Sequence, residues 1–207
     1  MASILILILL WLLYFIIHSV FASNVVKIRF QELFPRINRF YRGIYVFFSI
    51  AGLAVIFLFQ SSLPLFHLYR INTISSGIGL SLASFGILII IKSFSHYDTA
   101  EFLGLRQAKG DLEEQGFNKE GILRYVRHPL YSGSILFLAG YLIFAPNIVN
   151  LISVICMITY FIIGSYFEEK KLIKTFGKEY LIYKSKVPAF IPNIGLLLKR
   201  SIKAKNS

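Results

Sequence analysis

The chain has 207 residues, 56% of them apolar, with a mean hydropathy of +0.67 and a formal net charge of +12. That apolar share exceeds the ~45–50% of soluble domains and points to a membrane protein. The positive charge lies between long apolar runs, which fits loops facing anionic lipid and argues against nucleic acid as a partner. The one cysteine, Cys156, excludes an intrachain disulfide and reads as a buried thiol within an apolar run.

Residues 4–21 are apolar apart from His18 and Ser19, long enough to cross a hydrocarbon core of ~30 Å. The run ends in VFAS, which imitates a signal-peptide cleavage site. No Lys or Arg precedes it and further spans follow, so it is expected to remain as a first helix. His18 is expected to pack or to sit at the interface, with lining a pocket as the other reading. Residues 24–42 read as a short basic loop, with Lys27, Arg29, Arg36, Arg39 and Arg42 against Glu32. Residues 43–63 form a second span, with Tyr41 and Tyr45 placed as interfacial aromatics. A turn over 64–73 holds a single basic residue, Arg70, and residues 74–91 form a third span. Its segment SSGIGLSLASFG is rich in small residues that let helix backbones approach, which predicts a central position in the bundle.

Residues 92–128 are the one long polar segment. The fourth apolar run, 132–145, covers only roughly 21 Å, less than the bilayer core. Pro146-Asn147 breaks it, and 148–167 return as a full-length fifth span, so the fourth and fifth runs are expected to form a tight helical hairpin. Beyond Glu168 the tail is charged and amphipathic. Basic residues sort by loop as five, one, six, none and ten, which takes in all 22. The positive-inside rule then predicts an all-α integral membrane protein of five transmembrane helices, N-terminus outside and C-terminus cytoplasmic. Two regions are expected: a three-helix membrane region over 1–91, and over 92–207 a region of loop, hairpin and tail that carries the chemistry.

Unusual polar residues gather at the cytoplasmic ends of the last two spans. In RYVRHPLYSG (124–133), Pro129 suits the first position of a helix, with His128 as its cap. The N–H groups of Leu130, Tyr131 and Ser132 would then face the cytoplasm and, with the helix dipole, offer a site for an anion such as a carboxylate. A basic membrane anchor explains the same ten residues. Phe167-Glu168-Glu169 closes the fifth span, and acids at a helix C-terminus oppose its dipole. Either they pair with Lys170, Lys171 or the loop arginines, or Glu168 meets a cationic or hydroxyl-bearing ligand. An anion site beside a carboxylate would suit a zwitterion. His18, His67, His96 and His128 lack metal-ligand spacing, and neither GxSxG nor a phosphate-cradling glycine motif occurs, so no metal is expected.

RYVRHPLYSG, followed by EEKKLIKTFGKEYLIYKSKVPAFIP, resembles the isoprenylcysteine carboxyl methyltransferase superfamily of integral-membrane methyltransferases. The pattern RHPxYxG with a spaced EE…FGxEYxxY covers roughly the C-terminal half. HSVFAS, FYRGIYVFFS and YDTAEFLGLRQ in the N-terminal half look like the NnrU and methanethiol S-methyltransferase branch. The resemblance implies S-adenosylmethionine bound in a pocket open to the cytoplasm, with the acceptor arriving through a membrane-facing tunnel. By motif position His128, Pro129, Leu130 and Tyr131 would surround the cofactor, and Glu168 matches a cofactor-contacting glutamate. Gln107 matches a glutamine at the start of the loop, and Phe117 and Asn118 fall where that loop covers the cofactor.

Carboxyl methyltransferases of this superfamily place an arginine four residues before the glutamate. Here that position is Gly164, with Ser165 beside it, so a carboxylate acceptor would lose its partner. A small neutral or lipophilic acceptor, above all a thiol, fits better, with His128 or Glu169 available to take its proton. The expected location is a bacterial inner membrane with the cofactor site on the cytoplasmic side. Methylation of an isoprenylcysteine carboxylate or a phospholipid is the alternative, and a non-catalytic membrane protein keeping the fold is another.

Overall fold

The structure, a computed structural model, describes residues 2–94 and 119–192. Gln107, Phe117 and Asn118, expected at the cofactor, lie outside the described residues, as does His96. Among the described residues six α-helices follow one another: α1 (Ala2–Ala22), α2 (Asn24–Leu33), α3 (Tyr41–Ser61), α4 (Thr73–Phe94), α5 (Pro129–Phe144) and α6 (Ile148–Lys186). Tight helical turns occupy Asn38–Phe40 and Gly121–Arg124. Among the described residues the only extended pairing is a single bridge between His67 and Asn147. Helix α1, α3 with the turn before it, α4 and α6 are long and apolar enough to cross a membrane, and α5, at 16 residues, is shorter. The chain is an all-α integral membrane protein.

Residues 24–42 are not the plain loop that their charge predicts, because α2 forms within them. Ser23 makes this possible: its extended backbone (φ −72°, ψ 144°) interrupts α1, and its hydroxyl accepts from Val26 N at 3.4 Å as the cap of α2. Phe34, the residue before Pro35, leaves the helical region and ends it (φ −131°, ψ 61°).

Contacts group the chain into two compact units. Among the described residues the first unit comprises 2–72 and 145–160. Its core is Leu7 and Trp11, one turn apart on α1, with Ile56 of α3 and Val149 of α6. A chain of hydrogen bonds runs through the same core. Trp11 Nε1 donates to Ser153 Oγ at 3.0 Å, Ser153 Oγ to Gln60 Oε1 at 2.7 Å, and Gln60 Nε2 to Asn150 Oδ1 at 2.7 Å. Asn147 caps α6 by accepting from Asn150 N at 2.8 Å. Lipid offers these groups no partner, so each bond inside the unit removes a desolvation cost; such bonds contribute about 0.6–2 kcal/mol each. Tyr41 and Tyr45, expected to flank the bilayer, both reach the end of α1: Tyr41 is buried with its hydroxyl on Phe21 O at 2.6 Å, and Tyr45 meets His18.

The second unit comprises 73–94, 119–144 and 161–192. Here α4 and α5 pack antiparallel through glycines spaced seven apart, Gly79 opposite Gly140 and Gly86 opposite Gly133. A Cβ on Gly86 would stand 2.5 Å from Phe137 N and 2.7 Å from Gly133 O, and one on Gly79 would stand 2.6 Å from Phe144 N. Backbones this close rule out any side chain at those positions, and the small residues of the third span allow the expected backbone approach. Helix α6 does not end at the two glutamates. It continues past them to Gly177, whose backbone (φ 53°, ψ −127°) reverses the chain. The proof of reversal is Lys184 Nζ, 2.6 Å from Glu169 Oε2: along an uninterrupted helix fifteen residues would separate them by roughly 22 Å. The returning arm buries Tyr180, Tyr183 and Val187 against Leu172, Ile173 and Phe176.

Gly86→Val is expected to push α4 and α5 apart, costing at least the ~1–3 kcal/mol of an overpacked core. Thermal unfolding in detergent should show a clearly lower midpoint, while Gly43→Val, where an added Cβ meets nothing within 4 Å, should leave it nearly unchanged.

Candidate functional site

The site assembles in the second unit around the start of α5. Pro129 is the first residue of α5, as its locked φ and missing N–H dictate. One detail departs from expectation. Ser132 N–H is not open, because it donates to His128 O at 2.9 Å as the first rung of the helix, while Ser132 Oγ donates to Phe190 O at 2.7 Å. The dipole's positive end and the amides before that rung, those of Leu130 and Tyr131, mark where an anion is favoured.

The segment before α5 is clasped by the end of the returning arm. Arg127 N donates to Pro188 O at 2.9 Å and His128 N to Ala189 O at 3.0 Å. Tyr183 O–H donates to Leu123 O at 2.7 Å, and the Arg127 guanidinium donates to Lys184 O at 3.1 Å and also to Val187 O. The KVPAF stretch is thus the frame into which RHP is set.

At the centre lies Glu169. Its Oε1 accepts from Arg127 Nε at 2.7 Å and from Arg127 Nη2 at 2.6 Å, and its Oε2 accepts from Lys184. His128 Nε2 stands 3.1 Å from Oε1. An ionised carboxylate only accepts, so Nε2 carries the proton. Burial alone would raise the Glu169 pKa, but hydrogen bonds from Lys184, Arg127 and His128 and the Arg127 charge outweigh it and bring it down to about 2. Beneath it, burial pushes the Tyr180 hydroxyl up to about 12, with the Glu169 charge adding to the shift, so this buried phenol stays neutral.

Glu168 is placed differently. Because α6 runs through this point, the two glutamates sit mid-helix, and the expected conflict with a helix C-terminus does not arise. Successive residues lie about 100° apart around a helix, so Glu168 turns outward when Glu169 turns in. Its side chain is 43% exposed against 10% for Glu169, with Oε2 3.6 Å from His128 Nδ1. Lys170, one expected partner, lies over the Tyr166 ring at 4.5 Å.

Aromatic rings form the adjoining wall. Tyr131 stacks on His128 (5.6 Å between centroids, 22°) and on Phe161 (5.5 Å, 15°), and Phe190 tilts against His128 at 5.8 Å. Gly164 faces this wall: a Cβ there would be 3.8 Å from the Tyr131 hydroxyl. Ser165 is buried and donates to Ile162 O at 2.8 Å, so its hydroxyl serves the helix. The structure therefore brings His128, Pro129, Tyr131, Gly164, Glu168 and Glu169 together. Phe161, Lys184 and Phe190 complete the arrangement without having been singled out, while Arg127 bears out the expected pairing of a glutamate with a loop arginine. For Lys184 no local signal exists, because only the reversal at Gly177 carries it to Glu169.

The linkage between Glu169 and folding has a definite sign. Its pKa is depressed from the ordinary 4.5, so its contribution to stability is present above pH ~4.5 and is lost as pH falls toward 2. Glu169→Gln, which strands Arg127, is expected to destabilise by about 3 kcal/mol near neutral pH. Unfolding measured from pH 5 to pH 2 should show a steeper loss in the natural protein than in the variant.

Comparison with known proteins bears out the kinship read from the motifs. The chain is 29% identical to a methanethiol S-methyltransferase of Crocosphaera subtropica over 183 residues, covering 86% of this chain and 70% of that one. It is 28% identical to methanethiol S-methyltransferase 2 of Bradyrhizobium diazoefficiens over 204 residues, covering 93% and 74%. No solved structure matches. The phospholipid methyltransferase family model matches residues 74–179, more than half of the 207. That stretch carries His128, Tyr131, Gly164, Glu168 and Glu169, and on it the chain belongs to the phospholipid methyltransferase family and is a membrane methyltransferase.

Proposed function

We propose that the protein moves a methyl group from S-adenosylmethionine to a thiol, at a site on the cytoplasmic side of a bacterial inner membrane. The observation that carries this is the pairing, on one aromatic wall, of an anion-favouring helix start with the outward carboxylate of Glu168. The residues fit the donor's chemistry. The start of α5 suits the methionyl carboxylate, and Glu168 suits its ammonium or a ribose hydroxyl. When bound, the nucleotide would supply an electrophilic methyl carbon: a thiolate sulfur would bond to it as its bond to the sulfonium breaks, with S-adenosylhomocysteine as the leaving group. Gln107, Phe117 and Asn118 are proposed to cover it from the loop.

The acceptor reading rests on Gly164 and on the names of the two relatives above. No cation occupies the position four residues before Glu168, so nothing there would neutralise a carboxylate acceptor. A thiol must lose its proton to react. Glu169, held ionised at about 2, is a weak base, and its part is to orient the His128 ring through Nε2. The proton goes to His128 Nδ1, where Glu168 stabilises the imidazolium. Positioning and the exclusion of water then carry most of the rate. Sidedness rests on charge: Arg124, Arg127, Lys170, Lys171 and Lys174 flank the site, which supports a cytoplasmic C-terminus and, with α5 as the short fourth of five spans, an external N-terminus. The family's description favours a second acceptor class, phospholipid.

His128→Ala and Glu168→Ala are each expected to weaken S-adenosylmethionine binding at least tenfold by calorimetry, and unchanged affinity in both refutes the site. Labelled S-adenosylmethionine offered with methanethiol, a prenylcysteine and phosphatidylethanolamine should methylate the thiol fastest. In Gly164→Arg, whose Cβ would stand 3.8 Å from the Tyr131 hydroxyl, thiol turnover should fall at least tenfold, with thermal unfolding checking that the variant folds.

A further inference from the structure

Helices α1 and α3 are both long and apolar enough to cross the bilayer, so the stretch that joins them lies at a membrane surface. Within it, residues 34–40 advance in turns of three: Ile37 N donates to Phe34 O at 3.2 Å, and Phe40 N to Ile37 O at 2.9 Å. Side chains three apart then fall on the same side, so Ile37 and Phe40 make one row, and Arg36 and Arg39 the next. Phe34, Ile37 and Phe40 are each about half exposed, and both arginines are exposed. The charge here is one-sided. Residues 24–42 hold five basic side chains against one acid, Glu32, and Arg29 already takes that acid at 3.1 Å. The Arg39 guanidinium lies over the Phe40 ring, 4.7 Å from its centroid. A ring contact of this kind uses the face of the guanidinium and leaves its N–H edge for an acceptor, and that edge matches two oxygens of a phosphate.

We propose that this segment binds the headgroup of an anionic phospholipid, with Arg36 and Arg39 on the phosphate diester and Phe34, Ile37 and Phe40 entering the lipid beside it. Water around the segment would leave three large apolar side chains half uncovered. The hydrocarbon core would strip two cations of any partner. Only the headgroup region satisfies both rows at once. Two arginines one turn apart also discriminate among headgroups. A choline or ethanolamine headgroup brings its own cation and no net charge, whereas a glycerol headgroup leaves the phosphate charge uncompensated. Each arginine held at an anionic surface favours it by a factor of roughly five.

The test puts a reporter in the apolar row: Ile37→Trp in the full-length protein, reconstituted into phosphatidylcholine vesicles that carry an equal fraction of brominated phosphatidylglycerol or brominated phosphatidylcholine. Trp11 is fully buried, so the quenching that the variant adds to that of the natural protein reports lipid at residue 37. Phosphatidylglycerol should be preferred there by roughly fivefold or more, and high salt should erode the preference. Adding Arg36→Gln and Arg39→Gln together should bring the two lipids level. Arg70→Gln, beyond the other end of α3, should leave the preference intact, with thermal unfolding checking that each variant is folded. Equal quenching by the two lipids, no quenching at residue 37 by either, or a preference that survives in the folded double glutamine variant overturns the proposal. Loss of the preference in millimolar inorganic phosphate also overturns it and marks a site for a free anion. Methyl transfer by protein without a lipid preference refutes this inference alone, and a lipid preference in protein that transfers no methyl group refutes the proposed function alone.

Discussion

A carboxylate taken out of water has to be met by donors, and in the second unit Glu169 is met on both oxygens. Arg127 and His128 reach one oxygen and Lys184 the other. These partners come from the start of α5 and from the returning arm of α6, so one side chain joins three stretches of chain that are far apart in sequence. Desolvation would make the ion unfavourable by itself, and an incomplete set of partners would leave it so. Completing the set fixes the imidazole of His128, the entry angle of α5 and the line of residues 187–190. The site has the geometry it has because those positions are not independently variable.

Adjacent glutamates illustrate how a helix divides labour. About 100° of rotation separates Glu168 from Glu169. One is enclosed, ionised and committed to cations of the protein. The other stays half open beside a polar ring, where a ligand's donor can compete with water for it. Identical side chains thus become a buried strut and a half-open carboxylate, by burial alone.

The first unit solves a different problem. Hydrocarbon surfaces gain little by meeting each other in lipid, so specificity has to come from polar groups or from close backbone approach. The chain Trp11–Ser153–Gln60–Asn150 does the former, with each donor matched to an acceptor. The glycine pairs of α4 and α5 in the second unit do the latter. Both devices rely on short, sterically exact contacts, and both are intolerant of larger side chains.

Much of this was legible before any coordinates. Long apolar runs, spaced by basic segments, announce membrane helices, because a bilayer admits little else. Pro129 marks the start of its helix through its own covalent geometry, and the glycines of the third span announce a close partner. Other features could not be read. Residues 24–42 look like a loop because their charge hides the cap that Ser23 provides. Composition does not say that Tyr41 and Tyr45 turn their hydroxyls to Phe21 and His18 of α1. The glutamates look like a helix end because the apolar run stops there, although the helix goes on. Composition and local periodicity determined the class of protein and the position of its apolar helices. Only the tertiary structure decided which glutamate is enclosed and which is presented, since that depends on a reversal at Gly177 bringing Lys184 back across fifteen residues. Long-range contacts of that kind leave no periodic trace in a chain.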